Sequence, residues 1–120
     1  QICGVDASPF LIKMATQANT NSNINFRESD VGKYLKTTPQ LPPKSLVLLD
    51  PPRPGCDATV TSELLRLKPE YILYISCNPS TLTRDLSSFV AQDYRIVQTQ
   101  GFDMFPQTDH IESTTLITRL

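Results

Sequence analysis

Short apolar runs alternate along this chain with stretches whose apolar residues recur at helical spacing. Ile2–Val5 reads as a short strand. Behind it, Ser8 suits an N-cap and Pro9 a first helical position, ahead of Leu11, Ile12, Met14, Ala15 and Ala18. The Asn-rich stretch Asn19–Asn23 stops that helix. Ile24–Phe26 predicts a second strand, and Asp30 a cap for a brief helix over Val31–Leu35. Ser45–Leu49 is a continuous apolar run of the kind buried on both faces of a parallel sheet, and Tyr71–Ser76 is another. Helices are predicted over Ala58–Leu67 and Thr81–Val90, and strands over Tyr94–Gln100 and Ile111–Thr118. The last two strands leave no room for a helix between them, so an antiparallel pair is expected. Strands alternating with helices give a doubly wound α/β sheet.

In such sheets ligands sit beyond the carboxyl ends of the strands. Asp6 follows the first strand, Asp30 lies shortly after the second, Asp50 follows the third, and Ser76-Cys77-Asn78 ends the fourth. Three carboxylates and a thiol are thereby expected on one rim. Asp6 and Asp30 serve equally well as turn or capping residues. Asp50 is harder to dismiss. It directly follows Leu46-Val47-Leu48-Leu49 and opens Asp50-Pro51-Pro52-Arg53-Pro54-Gly55, where two successive prolines remove two backbone donors and stiffen the loop. A cysteine in a strand is more often core filler than chemistry, which is the reading for Cys3 and Cys56 and, taken alone, for Cys77.

Composition narrows the classes. At 120 residues the chain makes one domain at most. No apolar run approaches the roughly 20 residues that span a bilayer, so no membrane partner is expected. Three cysteines without a C-x-x-C pair, and a single histidine, argue against a disulfide framework or a metal site and for a reducing, intracellular compartment. A net charge of −1 neither announces nor excludes a nucleic-acid partner. Ten prolines cluster mainly in Thr38–Lys44 and Asp50–Pro54, where they mark turns. Gln1 opens what reads as a strand in progress, so residues 1–120 are expected to be the C-terminal portion of a longer catalytic domain.

Three segments carry a resemblance. They are Asp50-Pro51-Pro52-Arg53-Pro54-Gly55, Tyr74–Leu86 around Ser76-Cys77-Asn78-Pro79, and Asp103-Met104-Phe105-Pro106-Gln107-Thr108-Asp109-His110-Ile111-Glu112. In this order and spacing the chain resembles the RNA uracil-C5 methyltransferases, S-adenosylmethionine-dependent enzymes of the class I, Rossmann-like fold that make 5-methyluridine in tRNA or ribosomal RNA. Gly4-Val5-Asp6-Ala7-Ser8-Pro9 is similar to the family's cofactor-binding strand and turn.

The resemblance implies a mechanism. C5 of uracil is too poor a nucleophile to take a methyl group until a thiolate adds at C6. A base must then remove the C5 proton so that the thiolate can leave. By the family's motifs Cys77 is the nucleophile and Glu112 the base, so the two should share one cleft. Asp6 would accept hydrogen bonds from the cofactor ribose, Asp50 would lie beside cofactor and target base, and Asp30 would approach the adenine. Arg53 would hold a phosphate or its own loop, and His110 would position rather than act as a second base.

The family's first strand and glycine-rich loop are not found in this sequence. The expected sheet is therefore incomplete, with a gap between the strands carrying Asp6 and Asp50, and the 120 residues alone are expected to bind cofactor weakly or not at all and to have little activity. Two other classes fit the residues less well. An Asp-Pro-Pro loop also occurs in amine-directed nucleic-acid methyltransferases, which need no cysteine. A non-catalytic RNA-binding or folding-assistant protein would keep the fold with Cys77 and Glu112 dispensable.

Overall fold

A computed structural model describes all 120 residues, and they fall into two units, residues 1–39 and 40–120. The first unit runs β1 (Ile2–Asp6), α1 (Pro9–Ala18), β2 (Ile24–Glu28) and α2 (Val31–Thr37). β1 and β2 are parallel, with Ile2 opposite Ile24 and Asp6 opposite Glu28. Gly4 is required there, because a Cβ would come within 2.7 Å of the Phe26 ring lying across it. Ser8 caps α1 by accepting from the Leu11 N–H, and Pro9 begins it. The Asn-rich stop works through side chains. Asn19 Nδ2 donates to the carbonyls of Asn21 and Ile24, while Asn19 Oδ1 and Asn21 Oδ1 accept from the N–H groups of Asn21 and Asn23. The apolar residues of α1 are not core: none is fully buried, and Phe10, Leu11 and Met14 are all more than half exposed.

The second unit carries β3 (Leu46–Leu49), α3 (Ala58–Leu67), β4 (Tyr71–Ser76), α4 (Pro79–Val90), β5 (Tyr94–Phe102) and β6 (Glu112–Arg119). Its sheet has the order β3-β4-β6-β5. β3 and β4 are parallel, and β6 pairs antiparallel with both β4 and β5, as the missing helix between the last two strands requires. The strands thus divide into two sheets, β1-β2 and β3-β4-β6-β5.

The core of this unit lies on one face of the sheet. Along β4, Ile72, Tyr74 and Ser76 are buried while Tyr71, Leu73 and Ile75 are less so. The register sets Ile72 against Ile117 and Tyr74 against Thr115, both fully buried. α4 contributes the stripe Leu82, Asp85, Leu86 and Phe89, and α3 contributes Leu64 and Leu67. The expectation that β3 and β4 are buried on both faces does not hold. Leu46 and Leu48 are 57% and 59% exposed, whereas Leu49 is buried. Alternate residues of a strand point to opposite faces, and only the face of Leu49, Ile72 and Tyr74 is covered. Every buried side-chain nitrogen and oxygen has a hydrogen-bond partner. No helix is long and apolar enough to cross a membrane.

Candidate active site

Three loops meet at the carboxyl ends of β3 and β4, and each is built by local chemistry. The first, Asp50–Asp57, leaves β3 and turns at Gly55, whose φ of +87° suits glycine and whose N–H donates to the Pro52 carbonyl. The second is Cys77-Asn78, between β4 and α4. Ser76 Oγ accepts from the Asn78 N–H, Asn78 Oδ1 accepts from Ser80 N–H as the helix N-cap, and Pro79 starts the helix. The third, Asp103–Ile111, joins β5 to β6, with a turn in which Thr108 N–H donates to the Phe105 carbonyl.

The antiparallel register fixes the relation that matters most. The pairing of β4 with β6 ends at Ser76 opposite Ser113, the neighbours in sequence of Cys77 and Glu112. Cys77 and Glu112 are both half-buried. Asp50 stands one residue beyond Leu49, which pairs with Tyr74, so its exposed carboxylate is at the same end of the sheet.

Arg53 ties these loops together. Its carbonyl accepts from Asn78 Nδ2 (3.3 Å) and Thr81 Oγ1 (3.1 Å), both at the start of α4. Its guanidinium Nη2 donates to His110 Nδ1 at 3.2 Å. An arginine can only donate, so His110 Nδ1 is the acceptor and the ring proton sits on Nε2. The Phe105 ring meets the His110 ring edge-on, with centroids 6.4 Å apart. Of the two roles open to Arg53 in the sequence, holding the loop is the one these contacts carry out.

The remaining acids lie in the first unit. Asp6 ends β1, half-buried, and its Oδ1 accepts from the Ser8 N–H at 2.6 Å. Asp30 is exposed and caps α2, accepting from the Lys33 N–H at 2.8 Å. Both turn-forming readings are therefore real. In each case one carboxylate oxygen makes the turn contact, and neither contact occupies the other oxygen. No cluster of metal-ligating side chains is present.

All three cysteines are free. Cys3 is exposed, with its sulfur 3.4 Å from the Tyr34 hydroxyl, so the core-filler reading fails for it. Cys56 is partly buried, and burial above all pushes its thiol up from 9.0 to about 11. Tyr74 moves the same way, raised first by burial and then by its hydrogen bond to Asp85. The folded chain therefore holds the Cys56 proton more tightly than the unfolded chain does. That contribution to stability is complete below pH 9.0 and is lost as pH rises through about 11. An unfolding midpoint that drops across this window, less steeply in Cys56→Ala, is the expected result. A Cys56→Ala profile parallel to the wild type counts against it.

One polar residue at this site was not singled out from the sequence. Asp85 is 4% exposed and accepts from Tyr74, Arg84 and the backbone of Cys56. The signal was present: Leu82, Asp85, Leu86 and Phe89 recur at helical spacing, which sets an acid within an apolar stripe.

The family model described as tRNA (Uracil-5-)-methyltransferase matches residues 15–120. An uncharacterized RNA methyltransferase of Thermotoga maritima is 41% identical over 122 residues, covering 99% of this chain and 27% of that protein. This chain thus spans about a quarter of the length of that relative. The solved tRNA (uracil-54, C5)-methyltransferase of Pyrococcus abyssi, in complex with S-adenosyl-L-homocysteine, superposes with a TM-score of 0.77 at 32% identity, over 97% of this chain and 28% of its own. The N-methyltransferase NodS of Bradyrhizobium japonicum, 12% identical with a TM-score of 0.69 over 98% of this chain and 73% of its own, shares the fold alone. That fold is the Rossmann-like α/β arrangement of class I methyltransferases. The matched residues take in all three loops of the site, and by them the chain belongs to the tRNA (uracil-5-)-methyltransferase family.

Proposed function

We propose that the protein carrying this chain methylates C5 of uridine in RNA, tRNA or ribosomal, inside the cell, with S-adenosylmethionine as cofactor. The observation that supports the reading is the register of Ser76 with Ser113, the residues next to Cys77 and Glu112 in the chain. A thiol and a carboxylate so arranged suit addition at C6 and proton removal at C5 of one ring.

The chemistry follows from the residues. Cys77 stands one residue before the N-cap of α4, a twelve-residue helix. Its thiolate adds to C6 and pushes electron density to C5. The bound cofactor supplies the methyl group from its sulfonium. Glu112 then takes the C5 proton, the C5–C6 double bond reforms, and the Cys77 sulfur leaves. Arg53 and His110 hold the Asp50 loop against the Asp103–Ile111 loop.

Asp50, Asp6 and Asp30 are assigned to the cofactor. The donor set fits: ribose hydroxyls and an exocyclic amine are donors, and the carboxylates at these positions accept. A thiol must reach C6 from the face of the ring, so the target base is expected to leave its stack.

The test uses a protein of the relatives' full length carrying this chain, and RNA with 5-fluorouridine at the target. Fluorine at C5 cannot be removed as a proton, so a covalent protein–RNA adduct should accumulate once the methyl group is transferred. It should require cofactor and vanish in Cys77→Ala. Methylation without an adduct would mean that Cys77 only packs, and an amine-directed enzyme would replace this reading.

A further inference from the structure

The Asp50–Asp57 loop has little backbone chemistry with which to hold itself. Pro51, Pro52 and Pro54 have no N–H to donate. What grips the loop instead is one face of one helix. Asn78 and Thr81 donate to the Arg53 carbonyl. Arg84 Nη2 donates to the Pro54 carbonyl at 2.8 Å. Asp85 Oδ2 accepts the Cys56 N–H at 2.7 Å. These residues recur at spacings of three, three and one, which places them along a single side of the first turns of α4.

Asp85 joins three elements. The same Oδ2 accepts from the Tyr74 hydroxyl of β4 at 2.6 Å, while Oδ1 accepts from Arg84 Nε and Nη2 at 2.9 and 2.7 Å. The fit is close on the loop side too, since a Cβ at Gly55 would come within 2.5 Å of both Arg84 Nη2 and Asp85 Oδ2. The Arg84 side chain is 58% exposed and that of Asp85 is 5% exposed, so the acid is the interior member of the pair.

We propose that Asp85 is a positioning residue for the reaction: through Tyr74, Arg84 and the Cys56 N–H it sets the loop of Asp50 and Arg53 at a fixed place against the Cys77 loop. The inference rests on the reading given under Proposed function, and it adds a residue that touches no substrate. The two loops hang from the first turns of one helix. Cys77 is joined covalently to the start of α4, and the Asp50 loop is joined to α4 by hydrogen bonds that include the Asp85 carboxylate. Loosening the brace changes the distance between groups that act on one base, which governs the rate of the chemical step more than the affinity for RNA.

The experiment compares wild type, Asp85→Asn, Tyr74→Phe and Arg84→Ala in the full-length protein, below the melting temperature of each. Its readouts are kcat and KM for unmodified RNA, and the rate of adduct formation with 5-fluorouridine RNA. Asp85→Asn keeps the shape and loses the charge. Tyr74→Phe removes one donor, and Arg84→Ala alters a mostly exposed side chain, so a failure of one variant to fold leaves the others to decide. The expected result is a fall in kcat of about 10- to 100-fold in Asp85→Asn, with smaller falls in the other two. RNA KM should stay within about twofold, and adduct formation should slow in parallel. A folded variant set with wild-type kcat and adduct rate overturns the inference while leaving the proposed function intact. A loss that appears in KM alone, or only where the protein melts, also overturns it. A wild type that forms no adduct would instead sink the proposed reaction, and this inference with it.

Discussion

Replacing Glu112 with glutamine is expected to lower turnover by about 10²–10⁴-fold and to accumulate a covalent complex with ordinary, unfluorinated RNA. Glutamine has nearly the same volume and keeps an acceptor oxygen, so β6 should still start at residue 112 with Phe102 opposite it on β5. What is lost is the capacity to take a proton from C5. Thiolate addition and methyl transfer precede that step, and neither needs the carboxylate as a base. The product of the block is therefore a Cys77–RNA adduct that already carries the methyl group. It should resist denaturation, and mass spectrometry of the crosslinked peptide should show the added mass at Cys77. Turnover in Glu112→Gln at the wild-type rate would remove Glu112 from the mechanism. Loss of turnover with no adduct would place its role before thiolate addition.

The second large effect concerns stability. Phe89→Ala is expected to cost about 3–5 kcal/mol, read as a shift in the midpoint of chemical denaturation. Phe89 is fully buried, and its ring meets Tyr94 edge-on with centroids 5.8 Å apart. Tyr94 in turn donates its hydroxyl to the Pro69 carbonyl, so the cavity would open between α4, the start of β5 and the chain entering β4. Those groups are held by hydrogen bonds and cannot easily collapse into the space, which puts the cost toward the upper part of the range. A change smaller than about 1 kcal/mol would mean that α4 is anchored chiefly by its polar contacts, with the apolar stripe secondary. The two variants also separate stability from chemistry. Glu112→Gln should leave the denaturation midpoint close to wild type, and Phe89→Ala, assayed where it is folded, should retain the ability to form the adduct.

Much of the fold was legible because its signals are local. The N-cap at Ser8 with Pro9 behind it, the Asp30 cap, and the apolar runs at Leu46–Leu49 and Tyr71–Ile75 each depend on neighbours in sequence, and each is found where expected. The start of α4 was displaced because Asn78-Pro79 acts as cap and first residue of a helix expected only from Thr81. Burial was less legible. Leu46 and Leu48 satisfy a core pattern and are exposed, as are Phe10, Leu11 and Met14, because hydropathy states what a side chain favours and not what covers it.

The site divides along the same line. The groups proposed for thiolate addition, proton removal and cofactor contacts, Cys77, Glu112, Asp6, Asp30 and Asp50, were singled out by their places at strand ends and by the resemblance of their motifs to a known family. Residue type and order do not determine distance. Ser76 and Ser113, the neighbours of Cys77 and Glu112, are brought together by a strand register that depends on hydrogen bonds between β4 and β6. The Arg53–His110 contact and the Asp85 brace likewise join residues 57 and 29 positions apart. By itself the sequence determined the elements and the chemical groups, because caps, turns and functional groups act within a few residues. Which groups face one another, and which loop is held by which helix, was decided only by the tertiary structure, because pairing register and side-chain bridges exist only once distant segments have packed.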